Sequence, residues 1–227
     1  MTNAGKRNAM AVVAWLAVAL LEGCAFVGYL PGQQTIGRLR VLGPNVFLND
    51  KPARDGQLIT SGDRLRTGTD SSVYLYFLSG GFLQFDENTD PVIEIVWRGT
   101  SCEVQVQGMR QGQAYEETNP QCRTAVNTPH GEATHDGSIF NIKVDPQQTV
   151  LTALDGKLIL LSPKSVELQK GQQLSESPVG IGAIRVLSEQ ELREVVRWRN
   201  RFPAPCASDG TSCSAPGGSP PAGQCCD

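Results

Sequence analysis

The stretch from Gly62 to Phe85 limits the possible folds more than any other, because it reads as turn, strand, turn, strand. Gly62-Asp63 and Gly68-Thr69-Asp70-Ser71 supply residues that tolerate turn backbone angles. Val73 to Leu78 is a β-branched and aromatic run, Ser79-Gly80-Gly81 closes it, and Phe82 to Phe85 returns. Side chains alternate along a strand, so Val73, Leu75 and Phe77 share one face and Tyr74, Tyr76 and Leu78 the other. Both faces are apolar, which predicts a strand with neighbours on either side. The aromatics Tyr74, Tyr76, Phe77, Phe82 and Phe85 are expected to be core residues on this reading, not a ligand-stacking strip. Trp97 and Trp198 are assigned the same packing role.

The same grammar runs through most of the chain. Ile36 to Pro44 and Val46 to Pro52 read as short strands joined at Gly43-Pro44-Asn45, and Val92 to Trp97 starts after Pro91, which cannot donate to a central ladder. Cys102 to Gly108 alternates polar and apolar residues, as a half-exposed strand does, while the Gln-rich Met109 to Thr118 reads as an exposed excursion. Thr128-Pro129-His130-Gly131 and Asp136-Gly137-Ser138 precede a strand whose Phe140, Ile142 and Val144 share a face. Val150 to Leu154, Asp155-Gly156 and Lys157 to Leu161 read as a hairpin, and Val166 to Gly171 as a further strand and turn. One helix opens at Ser188 with a capping box closed by Glu191 and runs to about Asn200. It should lay Leu192, Val195, Val196 and Arg199 on the sheet and leave Glu194, Arg197 and Arg201 wet. With 24 Gly and 14 Pro, the chain is expected to be all-β: repeated short strands in a solenoid or sandwich, closed by one C-terminal helix.

Two blocks carry a family resemblance. Gly62, Asp63, Thr67, Gly68, Asp70, Ser71 and Gly80, with the apolar alternation between them, resemble the periplasmic domain of the iron-dicitrate sensor FecR family. Thr128, Pro129, Gly131 and Gly137 resemble that family's second block, with Ser138 standing where the family has threonine. The resemblance spans residues 37 to 173. It implies an envelope domain that, in the best-known members, receives a signal from an outer-membrane siderophore receptor and passes it to an inner-membrane anti-sigma segment. This sequence departs from that arrangement, since only a handful of residues precede its first apolar run and no receptor-facing module is evident after the β domain.

Location is read from the N-terminus. Lys6-Arg7 precedes the apolar run Ala9 to Leu21, which is shorter than the roughly 20 residues needed to span a bilayer and fits a signal-peptide h-region. Leu21-Glu22-Gly23-Cys24 resembles a lipobox in which Cys24 is lipidated, with Glu22 as a departure. Cleavage without lipidation and a retained anchor through residues 24–30 are the alternatives. The resulting division is a lipoprotein-type signal at 1–23, a tether at 24–35, a FecR-like β domain at 36–187, a helix at 188–202 and a Cys/Pro/Gly-rich disordered tail at 203–227. Ala25 suggests, by analogy, outer-membrane sorting facing the periplasm.

Seven cysteines leave an even number once Cys24 is assigned to lipid, compatible with disulfides in an oxidising compartment. Cys102 and Cys122 bracket the Gln-rich segment as a structural staple. Cys206, Cys213, Cys225 and Cys226 lack zinc-knuckle spacing, which favours disulfides over metal. Adjacent cysteines rarely bridge each other, so Cys225 and Cys226 are expected to pair with Cys206 and Cys213, with the connectivity left open. His130 sits at the free position of a turn, and neither it nor His135 accompanies a nucleophile motif or paired acid. A formal net charge of -3 gives no basic surface for nucleic acid. The expectation is a non-catalytic envelope lipoprotein with no cofactor and no metal, membrane-held through its lipid, whose β domain binds or scaffolds an envelope protein or glycan. The alternative is an accessory that signals through a TonB-dependent receptor. Oligomeric state is left open.

Overall fold

The computed structural model describes residues 34–98, 101–118, 122–135 and 137–202. The signal segment, Cys24 and the tail with Cys206, Cys213, Cys225 and Cys226 lie outside the described residues. No helix among the described residues is long and apolar enough to cross a membrane.

The chain is all-β, shuttling between two sheets in steps of one to three strands. It enters sheet A with β1 (Thr35–Leu42), crosses to sheet B for β2 (Val46–Leu48) and β3 (Lys51–Pro52), returns for β4 (Leu58–Thr60) and crosses again for β5 (Asp63–Thr67). The hairpin β6 (Ser72–Phe77) and β7 (Gly81–Phe85) lies in sheet A; β8 (Val92–Arg98) and β9 (Ser101–Gln107) lie in sheet B. Next come β10 (Gly112–Thr118) in A, β11 (Cys122–Asn127) and β12 (Glu132–His135) in B, and β13 (Ile139–Val144) and β14 (Thr149–Asp155) in A. The last steps are β15 (Lys157–Ser162) and β16 (Val166–Gln169) in B, then β17 (Gln172–Ser177), β18 (Gly180–Ile181) and β19 (Arg185–Val186) in A. Sheet A runs β18-β17-β14-β13-β10-β7-β6-β1-β4, with β19 also on β17; sheet B runs β16-β15-β12-β11-β9-β8-β5-β2-β3.

One apolar cluster fills the space between the sheets and draws on both: Leu75, Phe77, Leu83, Phe85, Phe140 and Leu151 from sheet A, and Leu65, Ile93, Val104, Val106 and Leu158 from sheet B. Complete burial of each such side chain is worth about 2 kcal/mol, so the alternation of inward residues fixes register throughout. β6 is central, flanked by β1 and β7, as its two apolar faces predict.

Three sequence expectations need correction. Asp155-Gly156 does not close a hairpin. β14 already has β13 and β17 on its two edges, while β15 pairs with β12 and β16 in the other sheet. The turn is a corner between sheets, with Gly156 at φ +68 and the Ser138 hydroxyl donating to the Lys157 carbonyl (2.5 Å) and accepting its N–H (2.9 Å). Residues 109–118 are not an exposed excursion: Met109, Ala114, Tyr115 and Glu116 are buried, and β10 sits between β7 and β13. The C-terminal helix is also shorter than its pattern suggests. α1 (Glu189–Val195) opens with the Ser188–Glu191 capping box, buries no residue, and gives way to a 3-10 helix at Arg197–Arg201.

Candidate functional site

The outer face of sheet A, turned away from the core, carries a polar and aromatic row in continuous register. Arg40 of β1 pairs with Tyr74, Tyr74 with Gln84, Gln84 with Tyr115 and Tyr115 with Asn141; Asn141 then pairs with Thr152, Thr152 with Gln173 and Gln173 with Arg185. Directly opposed residues point to the same side, so these eight side chains form one row across the sheet. The inward neighbours Leu75, Leu83, Ala114, Phe140, Leu151 and Leu174 hold the strands on the core and so fix the row.

The C-terminal segment lies across this row. Arg199, only 6% exposed, stacks its guanidinium 3.6 Å from the Tyr115 ring centroid and 5.6 Å from that of Phe82, and its Nε donates to Gln84 Oε1 at 2.8 Å. The Tyr74 hydroxyl donates to the Phe202 carbonyl at 3.1 Å, and Arg201 bridges Asp86 and Glu87 at 2.9 Å. Burial pushes the Tyr74 and Tyr115 hydroxyls up to about 12, against the opposing pull of Arg199. The aromatics therefore divide. Phe77 and Phe85 are core, whereas Tyr74, Tyr76 and Phe82 form an outer cluster with Tyr115 and lie outside the inter-sheet core. Trp198 does pack on the sheet, where its Nε1 donates to Asn141 Oδ1 at 3.1 Å.

Beyond Arg199 a cleft of about 930 Å³ opens between the row and the C-terminal segment, with Gln113 and Gln173 half-buried at it and Asn141 and Thr152 buried beneath. Its floor is Gln113, Asn141, Thr152 and Gln173; α1, Trp198 and Arg185 stand at its walls. The floor side chains hold one another in place. Gln113 Nε2 donates to Asn141 Oδ1 and to the Val195 carbonyl, both at 3.1 Å, and Gln173 Nε2 donates to Thr152 Oγ1 at 3.0 Å. Two wall cations are neutralised, Arg185 by Glu191 and Arg197 by Glu194, each at 3.1 Å. None of the floor residues was singled out by sequence, although Gln113, Tyr115 and Glu117 alternate with Ala114 and Glu116 in the manner of a strand.

The residues singled out by sequence lie elsewhere and make structural contacts. Cys102 and Cys122 face each other in register on the parallel pair β9–β11 and form a disulfide. Gly62, Gly80 and Gly137 occupy left-handed turn positions, as does Asp70 at φ +55. The Asp63 carboxylate accepts from Thr60 N–H and hydroxyl, Thr67 Oγ1 donates to the Asp86 carbonyl, Gly68 N–H donates to Asn45, and Ser71 Oγ accepts from Asn45 N–H. Thr128 closes the turn through Pro129 by donating to Gly131 O, and His130 Nδ1 lies 3.0 Å from Thr149 Oγ1.

Two interior acids went unremarked in the sequence. Glu116 accepts from Thr124 Oγ1 at 2.5 Å and lies 3.4 Å from His135 Nε2, and His135 Nδ1 in turn accepts from Ser138 N–H. This buried set joins the sheets across the core. Glu176 has both carboxylate oxygens buried without a hydrogen-bond partner, and burial pushes its carboxyl up to about 7. It lies beneath Gly131, where an added Cβ would fall 2.5 Å from one carboxylate oxygen and 2.3 Å from the Ser162 carbonyl.

Residues 63–158 match the model of the family described as FecR protein. This chain carries a FecR domain. None of the curated proteins matches it. Among solved structures it is similar to a protein of Parabacteroides distasonis ATCC 8503 titled a "putative anti-sigma factor", in crystal structures at 1.65 Å and 2.50 Å resolution. Each likeness has 12% identity and a TM-score of 0.48, over 57% of this chain and 62% of that one. The FecR match runs from β5 into the start of β15, so it includes Gln113, Asn141 and Thr152, while Gln173 and the C-terminal segment follow it. The cleft thus lies where the FecR domain meets the chain that comes after it.

Proposed function

We propose that this FecR-domain chain is a binding module of the cell envelope, working without catalysis, with the cleft on sheet A as its contact site. The observation that carries the reading is the preorganised floor of Gln113, Asn141, Thr152 and Gln173, a set of mutually held polar side chains in a cleft on an otherwise regular scaffold. His130 and His135, where an enzyme reading would begin, are engaged with Thr149 and Ser138. Anchoring through a lipid on Cys24 belongs to the same proposal and rests on Leu21-Glu22-Gly23-Cys24; mass spectrometry of the mature N-terminus tests it. The contact site is tested by affinity capture from envelope fractions with the full chain and with a Gln173→Ala variant. A partner held by the first and lost by the second supports the cleft, and identical captures overturn it. The family match favours a second reading, an accessory in transmembrane signalling, for which the captured partner would be the N-terminal domain of a TonB-dependent receptor.

A further inference from the structure

We infer that the cleft takes an oligosaccharide, a chain of sugar hydroxyls read by neutral amide and hydroxyl side chains; this deepens the binding-module reading and rests on it. Asn141 is 1% exposed, and its Oδ1 is saturated by Gln113 and Trp198. Among the described residues its Nδ2 has no hydrogen-bond partner, and Asn141 lines the cleft. A buried amide pinned at its oxygen is a donor fixed in position before any ligand arrives. Gln113 and Gln173 are each held through Nε2, which leaves their carbonyl oxygens as acceptors. Donor and acceptors together suit hydroxyl groups, which both give and take hydrogen bonds.

Spacing and charge narrow the ligand class. Asn141, Thr152 and Gln173 stand on three consecutive strands, about 4.8 Å apart per step. Thr152 is buried and holds Gln173 in place, so the amides of Asn141 and Gln173 lie two steps apart, close to two pyranose rings along a sugar chain. A polyanion would need several unpaired cations, but of the described arginines and lysines that line the cleft only Lys143 has no ion pair, since Arg185 and Arg197 are bound to Glu191 and Glu194, and Arg201 is spent on Asp86 and Glu87. A wholly apolar ligand would strip water from the floor amides without replacing their bonds. Trp198 on the wall supplies the flat apolar surface that the C–H face of a sugar needs.

The test is calorimetric titration of the full chain, in a non-glycosidic detergent, with β-1,4-linked tetramers of N-acetylglucosamine and of glucose and with a neutral serine-glycine decapeptide. Tryptophan fluorescence provides a parallel readout. At least one sugar should bind, with an emission change abolished in Trp198→Phe and an affinity reduced about tenfold in Gln173→Ala and in Thr152→Val. Thr152→Val is nearly isosteric, and thermal melts of both variants confirm that they fold. Three results overturn the inference: neither sugar binds, the decapeptide binds in their place, or sugar binding ignores both substitutions. If envelope capture is lost in Gln173→Ala while neither sugar binds, the glycan inference falls and the binding module stands; if capture ignores Gln173→Ala, the module reading falls by itself.

Discussion

Replacing Arg199 with alanine should release the C-terminal segment without unfolding the sheets. The buried guanidinium makes a cation–π contact with Tyr115 at 3.6 Å, worth about 2 kcal/mol when desolvated. It also donates to Gln84 at 2.8 Å, and a hydrogen bond from a charged group is worth about 1.5–3 kcal/mol. One group makes both contacts and regains its hydration when freed, so the two overlap and the net loss is about 3 kcal/mol, on the order of a hundredfold in the open population. The remaining ties, Tyr74 to Phe202, Trp198 to Asn141, Gln113 to Val195 and Arg201 to Asp86 and Glu87, are single neutral hydrogen bonds and half-exposed ion pairs, each worth about 1 kcal/mol, and they are present with and without Arg199. The assay is trypsin cleavage after Arg201, which tracks the open fraction when reclosing is fast, together with amide exchange at Phe202, whose N–H is bonded to the Arg199 carbonyl. Both rates should rise about a hundredfold in Arg199→Ala, while the main thermal transition moves little. Arg193→Ala, which removes only an exposed pair with Glu189 at 3.7 Å, should match the unsubstituted chain. Equal cleavage in the two variants, or loss of the whole β transition in Arg199→Ala, would refute the account of Arg199 as the fastening of this segment.

Other perturbations test the scaffold. Replacing Cys102 and Cys122 by alanine opens a loop with a sequence separation of 20 and should cost about 3 kcal/mol by loop entropy; a denaturation midpoint unchanged between the variant and the oxidised chain would contradict this. Glu176 has its folded carboxyl raised from 4.5 to about 7, so the stability that depends on its proton is complete below pH 4.5 and is lost as pH rises through about 7. Thermal melts across that range should show a decline that Glu176→Gln removes, and an unaltered slope in the variant would assign the decline elsewhere. Gly131→Ala drives a Cβ against the Ser162 carbonyl and the Glu176 carboxylate and should destabilise by about 2 kcal/mol. Glu176→Ala should partly relieve it, and strict additivity of the two substitutions would separate the sites.

The parts of the fold that are legible in the sequence are the local ones. The turn at Ser79-Gly80-Gly81, the Phe140, Ile142, Val144 face and the Ser188 capping box each depend on residues within a few positions of one another, so a chain segment displays them by itself. Which sheet a strand joins is not local. Asp155-Gly156 is equally good chemistry for a hairpin and for a corner, and only the occupancy of both β14 edges by β13 and β17 decides between them. The site was hidden for the same reason. Gln113, Tyr115 and Glu117 carry the polar face of a strand that looks exposed because its cover is far away in the chain: Gln113 meets Val195 across 82 residues, and Gln84 meets Arg199 across 115. A polar face covered from such a distance reads locally like one in water. What distinguishes the two is the distant segment, in which Arg199 falls on the apolar stripe of Leu192, Val195 and Val196. A charge on a packing stripe requires a partner within the fold, and the aromatic and amide row of sheet A is where that requirement is met.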